Sequence, residues 1–401
     1  MIKLLVAIAL VSIAYCDVDA NTMNGKVVVG YQGWFNHESD GFGVGWRHWS
    51  KDEHKVDTDT LNFDLWPDTT EYDPQAMKDT NLRYQNGQVA RLYSSGHPSI
   101  VDKHFEWMKN YNIDSAFLQR FLGEVQDPRF FKLRNTVTRN MMTSAETHGR
   151  TFAIMYDVSG VNANNLVDLL KKDWGYLSGE FGVTRSPRYQ KHDNKPVVVI
   201  WGLGFSERQD TPNQAIEIAN YLKSQNCFCI AGVPYFWRTQ DRDARPGFVD
   251  ALLNFDGVSP WAVGRYGSRS GFESTFDKQV PDDQRLTLSR NKWYAPVLFP
   301  GFSWKNLSPP GRELNQIPRN GGDFFRAQAE RMLIKLQRTN TFLYIAMFDE
   351  VDEATAIFKA ASRKEDTPVG DKFLYLSIDG KQLPSDYYLK LAGNLTTAWK
   401  H

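Results

Sequence analysis

The chain has 401 residues, of which 41% are hydrophobic, so it can bury one large core and is not a disordered polymer. Lys plus Arg and Asp plus Glu each total 47, and this zero net charge leaves no bulk field to attract nucleic acid or an anionic membrane. Aromatics make up 13%, with 12 Trp, a residue that either fills core or offers a flat ring to a ligand, so a neutral partner is favoured.

The chain opens with Met1-Ile2-Lys3 and an apolar run from Leu4 to Ala14, too short to span a bilayer. This reads as a signal peptide over residues 1–16, with cleavage after Cys16 or as late as Ala20, leaving a secreted, extracellular chain of one domain over 17–401. No later segment supplies about 18 consecutive apolar residues, so no membrane span is expected. Cys227 and Cys229, two apart on one strand face, read as packed thiols. Asn306-Leu307-Ser308 and Asn394-Leu395-Thr396 are glycosylation sequons.

Eight short apolar runs, rich in β-branched and aromatic residues, follow in order: Val27 to Trp34, Asp114 to Leu122, Thr151 to Ser159, Pro196 to Phe205, Cys227 to Phe236, Gly257 to Val263, Trp293 to Phe302 and Phe342 to Glu350. Helical periodicity separates them, as in Ser99 to Tyr111, Leu133 to His148, Asn213 to Ser224 and Phe324 to Arg338, and a final helix is expected within Phe373 to Trp399. Runs such as Val197-Val198-Val199-Ile200 are continuously apolar, as in parallel strands covered on both faces. The alternation predicts an α/β fold, a (β/α)8 TIM barrel with long rim loops, Phe35 to Gly87 being the longest. An open doubly wound sheet shares the pattern, but the count of eight favours closure.

Polar and aromatic residues gather where the runs end, the face that carries active sites in such barrels. Gly30-Tyr31-Gln32-Gly33-Trp34 and Gly45-Trp46-Arg47-His48-Trp49 combine rings that stack on sugar C–H faces with side chains that bond hydroxyls, or else simply pin the loop. Tyr156-Asp157, Trp201, Trp237 and Trp261 occupy equivalent strand ends. An Asp there orients a hydroxyl or caps the next loop. The strongest cluster is Phe348-Asp349-Glu350-Val351-Asp352-Glu353, an apolar strand running into four carboxylates. Mutual repulsion and desolvation raise at least one pKa, as a general acid requires. Glu350 and Glu353, three apart, have Cα atoms within roughly 7 Å in a turn and can reach one glycosidic bond. A solvated acidic turn or a calcium loop would carry the same residues. His48 lies in no zinc spacing, and no cofactor motif is present, so neither a metal nor a cofactor is expected.

These segments resemble the glycoside hydrolase family 71 and 99 group, which includes α-1,3-glucanases and endo-α-mannosidases. Family 99 carries Asn-Glu-Trp-His-Glu on its last strand and family 71 a carboxylate followed three residues later by Glu, against Asp349-Glu350-Val351-Asp352-Glu353 here. Phe255-Asp256-Gly257-Val258 and Pro296-Val297-Leu298-Phe299-Pro300-Gly301-Phe302 resemble the sixth- and seventh-strand motifs. The resemblance implies an endo-acting glycosidase on an α-linked polysaccharide or glycan, and the chain is expected to be a monomer. By the family 99 route Glu350 is the base that deprotonates the sugar's 2-hydroxyl and Glu353 the acid; by a family 71 route the pair inverts with one carboxylate activating water. Val351 and Asp352 depart from the family 99 Trp and His, and Met155-Tyr156-Asp157 from its Glu-Pro-Tyr, which leaves the sugar open. The competing reading is a carbohydrate-binding protein on an inactive hydrolase barrel.

Overall fold

The computed structural model describes residues 17–308 and 310–401. The expected leader over 1–16 lies outside the described residues. The segment 17–20 is built into the barrel base, with Val18 N–H donating to Gly149 O (2.9 Å) and Lys191 N–H to Ala20 O (2.6 Å).

Eight parallel strands form the barrel: β1 Val27–Tyr31, β2 Ser115–Phe121, β3 Thr151–Asp157, β4 Lys195–Trp201, β5 Phe228–Pro234, β6 Gly257–Trp261, β7 in two pieces, Trp293–Tyr294 and Val297–Leu298, and β8 Leu343–Ile345. The first piece of β7 pairs with β6, the second with β8, and β8 pairs with β1 (Val27 opposite Leu343), so the ring closes. The break in β7 falls at Pro296, which has no N–H to give the ladder but still accepts from Tyr344 N–H at 3.1 Å.

Helices α1 Pro98–Asn110, α2 Pro128–His148, α3 Ala163–Tyr176, α4 Pro212–Ser224, α5 Val249–Leu252, α6 Arg269–Ser289, α7 Asp323–Lys335 and α8 Tyr387–Lys400 follow the strands in turn. Local chemistry sets their ends. Thr211 and Gln214 form a capping box before Pro212, and Asp127 caps α2, which stops at Gly149 in the left-handed region. β3 is buried at every position, because helices cover it outside and side chains fill the barrel inside. Each Val, Ile or Leu so buried is worth about 1.5–3 kcal/mol over its exposed state.

Alternation along the strands sorts side chains to two destinations. Phe117 and Tyr344 (rings 6.2 Å apart), Trp261 (6.4 Å from Tyr344) and Met155, whose sulfur is 3.4 Å from the Tyr344 hydroxyl, meet inside the barrel. Their neighbours face the helices: Tyr31 reaches His104 on α1, while Arg120 and Tyr156 reach Asp173 on α3.

The long first loop lies across the strands' C-terminal face and ends in a hairpin, Met77–Arg83 against Val89–Tyr93. It is tied to the loop after β7 by buried Asp64, which accepts from Ser303 Oγ (2.5 Å), Lys305 N (2.7 Å) and Asn306 N (2.8 Å). The Asn306 amide in turn donates to Phe63 O and Lys372 O, both at 2.9 Å. That sequon side chain is therefore committed inside the fold, whereas Asn394 is exposed on α8. Cys227 and Cys229 are buried free thiols. Among the described residues no helix is long and apolar enough to cross a membrane.

Candidate active site

Beyond Ile345 the chain leaves the ladder and turns over the barrel mouth. Phe348 N–H still donates to Gly30 O at 2.7 Å, and a side chain at 30 would overlap Tyr344 and Met347, so glycine permits this approach. Asp349 then accepts from Gln32 N (2.7 Å) and Gly33 N (2.9 Å). Gly33 is left-handed (φ 57°), which turns its N–H toward that carboxylate. These two bonds lock the end of β1 to the acidic loop.

Glu350 lies on the floor, 5% exposed, accepting from the Thr355 hydroxyl at 3.2 Å and from the Gln32 side chain. Glu353 is half-buried beside it. Its backbone is fixed on both sides: Ser303 N–H donates to Glu353 O at 2.9 Å, and Ala354 adopts φ 53°, a left-handed state that costs alanine about 1–2 kcal/mol. Buried Arg319 offsets that cost, donating to Ala354 O (2.8 Å) and Ala356 O (2.7 Å).

Both carboxylates line one cavity of about 380 Å3, with Asp352, Trp34, Trp46, Arg47 and His48 around them and Lys51, Asn62 and Leu307 from the rim. His48, itself left-handed (φ 63°), stacks on Trp34 with ring centres 3.8 Å apart and planes 7° from parallel. Its Nδ1 meets Asp352 Oδ2 at 3.0 Å. Gln32 Oε1, Trp34 Nε1, His48 Nε2 and Asp352 Oδ1 are buried without a partner. An unpaired buried polar atom costs about 1–3 kcal/mol, so this mixed set of donors and acceptors suits a ligand carrying hydroxyls.

Burial dominates the charge state. It raises Glu350 well above the ordinary carboxylate range, helped by the charges of Glu353, Asp352 and Asp349 and opposed by the Gln32 bond. Burial pushes Glu353 up to about 7 and Asp349 up to about 6, the latter against its two backbone N–H bonds. Asp352 is likewise raised, and His48 is held neutral by burial and by the cations Arg47 and Arg134. Burial favours the neutral form of both carboxyls, and the charge of Glu353 raises Glu350 further, so the protonation of each depends on the other, as an acid and base acting on one bond require.

Of the residues expected to bind ligand, Trp34, Trp46, Arg47 and His48 line this cleft, and Gln32 stands behind Glu350. Trp201 and Trp261, half-buried with rings 5.3 Å apart, stand at the same mouth but outside that cavity. Five expectations are corrected. Tyr31 and Tyr156 belong to the outward strand face: the Tyr31 hydroxyl bonds His104 Nδ1 (2.8 Å) and the Tyr156 hydroxyl bonds Asp173 (2.8 Å). Trp49 is fully buried with its indole N–H on Tyr93 O (2.8 Å), and Trp237 donates to Asp283 on α6 (3.0 Å). Asp349 is fully buried and spends its oxygens on backbone, so it positions the loop. Asp157 accepts from Ser159 N (2.7 Å) and turns the loop after β3, with burial raising it to about 6. Arg319, Thr355 and the Asp352 pairing with His48 were not among the expected site residues; Arg319 lies in a loop whose sequence carries no signal of this contact.

No protein-family model and no curated protein matches the chain. Among solved structures it is similar to the family GH99 endo-α-mannosidase of Bacteroides thetaiotaomicron in complex with BIS-TRIS-propane, with a TM-score of 0.65 and 16% identity, over 94% of this chain and 98% of that one. A second structure of the GH99 enzyme from that organism gives a TM-score of 0.64 and 15% identity over the same shares. At these identities the likeness is one of fold, and it extends over nearly the whole of both chains.

Proposed function

We propose that the protein is a glycoside hydrolase that cleaves α-linked polysaccharide or glycan within the chain, working outside the cell. One observation carries the reading: Glu350 and Glu353 line a single sugar-sized cleft at the C-terminal mouth of a closed barrel, each desolvated. The likeness to an endo-α-mannosidase fold supports it.

In this mechanism Glu353, the more accessible carboxyl, gives its proton to the glycosidic oxygen as the C1–O bond breaks. Glu350, fixed by Thr355 and Gln32, takes the proton of the attacking hydroxyl. That hydroxyl is the sugar's own 2-OH, followed by ring opening with water, or water itself. Either route adds one water: in the first, Glu353 takes the proton of the opening water and Glu350 returns its own to the 2-oxygen, which restores both carboxyls, whereas direct attack by water leaves the proton on Glu350, and exchange with solvent returns it to Glu353. The calcium-loop alternative fits less well. Asp349 faces two backbone N–H groups and Asp352 faces His48, and among the described residues no group of three or more His, Cys, Asp or Glu could hold a metal ion.

Product analysis on α-mannan and α-1,3-glucan, with wild type, Glu350→Gln and Glu353→Gln, tests the proposal. Oligosaccharide release by wild type alone is the expected result. Binding with no release by any form would instead favour a carbohydrate-binding protein on an inactive barrel.

A further inference from the structure

The cleft does not end at its acidic floor. Lys51 lines it and also lines a second cavity of about 280 Å3, shared with Lys305, Lys372 and Arg312 and carrying one carboxylate, Asp59. Among the described residues none of these four cations forms an ion pair. Arg312 spends only its face, lying 5.7 Å from the Trp304 ring centre. In a chain of zero net charge, four cations against one lining carboxylate, with buried Asp64 beneath Lys305, is a local excess. A compact cavity of that volume is about 8 Å across, no more than a Debye length at physiological salt, so their fields add.

Part of the groove's backbone is held by the fold. Lys305 N–H is held by Asp64, and the Asn306 amide clamps the backbone carbonyl of Lys372. Two of the ammonium groups thus spring from backbones joined through one buried hydrogen-bond network, which fixes where the side chains start while their own rotamers are ordered only by a ligand. The neighbouring floor has the opposite character, with Glu350, Asp352 and Glu353 together. The two regions meet at Lys51, so an anionic substituent finds its opposite charge in the groove and not on the acidic floor.

We propose that the protein reads an anionic group, a sulfate, phosphate or carboxylate carried by a sugar outside the scissile pair, in the groove of Lys51, Lys305, Arg312 and Lys372. This rests on the hydrolase reading for its register, but binding alone tests it. Glu353→Gln protein is titrated with neutral α-mannan oligosaccharide, its sulfated form, its phosphorylated form and oligogalacturonate, at low and at 300 mM salt. The same titrations are run on Glu353→Gln carrying Lys305→Gln and Lys372→Gln.

The expected result is at least tenfold tighter binding of one anionic form than of the neutral one, a preference removed by salt and by the double lysine change, with neutral binding unchanged. The winning form identifies the anion. Equal affinity for neutral and anionic forms, or a preference that survives the lysine changes, overturns the proposal. If wild type cleaves neutral mannan while no anionic preference appears, only this inference falls. If an anionic form binds through the lysines yet wild type cleaves none of the four and no α-1,3-glucan, the hydrolase reading falls and the groove stands.

Discussion

Glu353→Gln should stabilise the protein, and by an amount set by pH. Burial raises the Glu353 pKa from 4.5 to about 7. In the unfolded chain the ordinary value returns. A carboxyl raised by folding contributes no penalty below its unfolded pKa, where both states hold the proton, and a full penalty above its folded pKa, where both have lost it. The 2.5-unit difference amounts to about 3 kcal/mol at pH 8. Relief of Glu350, whose pKa the Glu353 charge also raises, adds to the gain. For a chain of this length that is a rise of about 4 °C in Tm. Thermal melts of both proteins from pH 4 to 8.5 measure it. The Tm difference should be near zero at pH 4 and grow through pH 5–7. A difference independent of pH, or a Gln variant less stable at pH 8, would refute the claim that the site stores unfavourable desolvation.

The proton held by Glu353 also sets the alkaline limb of activity: kcat/KM should fall as pH rises past about 7, and a limb beyond pH 9 would assign the acid to another group. Arg319→Ala removes both bonds to the carbonyls after Glu353; kcat should drop about 100-fold with KM little changed, and stability by about 3 kcal/mol, read by steady-state kinetics and urea melts, with Arg319→Lys restoring part of kcat. Tyr31→Phe leaves His104 Nδ1 without its partner and should cost about 1 kcal/mol of stability while KM stays unchanged, whereas a raised KM would return Tyr31 to the ligand site.

The barrel was legible because strands covered on both faces need unbroken apolar runs, and all eight runs became strands. Their ends were not. The run Phe342 to Glu350 keeps its ladder only over Leu343–Ile345, because the following residues turn across the mouth, and apolarity does not distinguish a buried turn from a buried strand. The acidic pair was legible for the opposite reason: four carboxylates after an apolar strand have no core role. The aromatic assignments divided by parity. Gln32 and Asp157 share the inward register of Gly30 and Met155, while Tyr31 and Tyr156 take the outward one and meet α1 and α3. That distinction was present in the alternation once one inward residue was known. Arg319, His48 with Asp352, and the basic groove depend on loops far apart in sequence meeting over the barrel, which no local pattern encodes.

The most direct measurement is a structure of Glu353→Gln protein with a bound α-linked oligosaccharide. The expected complex has a glycosidic oxygen within hydrogen-bond reach of the residue 353 amide, about 2.6–3.2 Å, and a hydroxyl or water at similar range from Glu350. A sugar bound elsewhere on the barrel, or one lying in the cleft with its linkage turned away from both side chains, would contradict it.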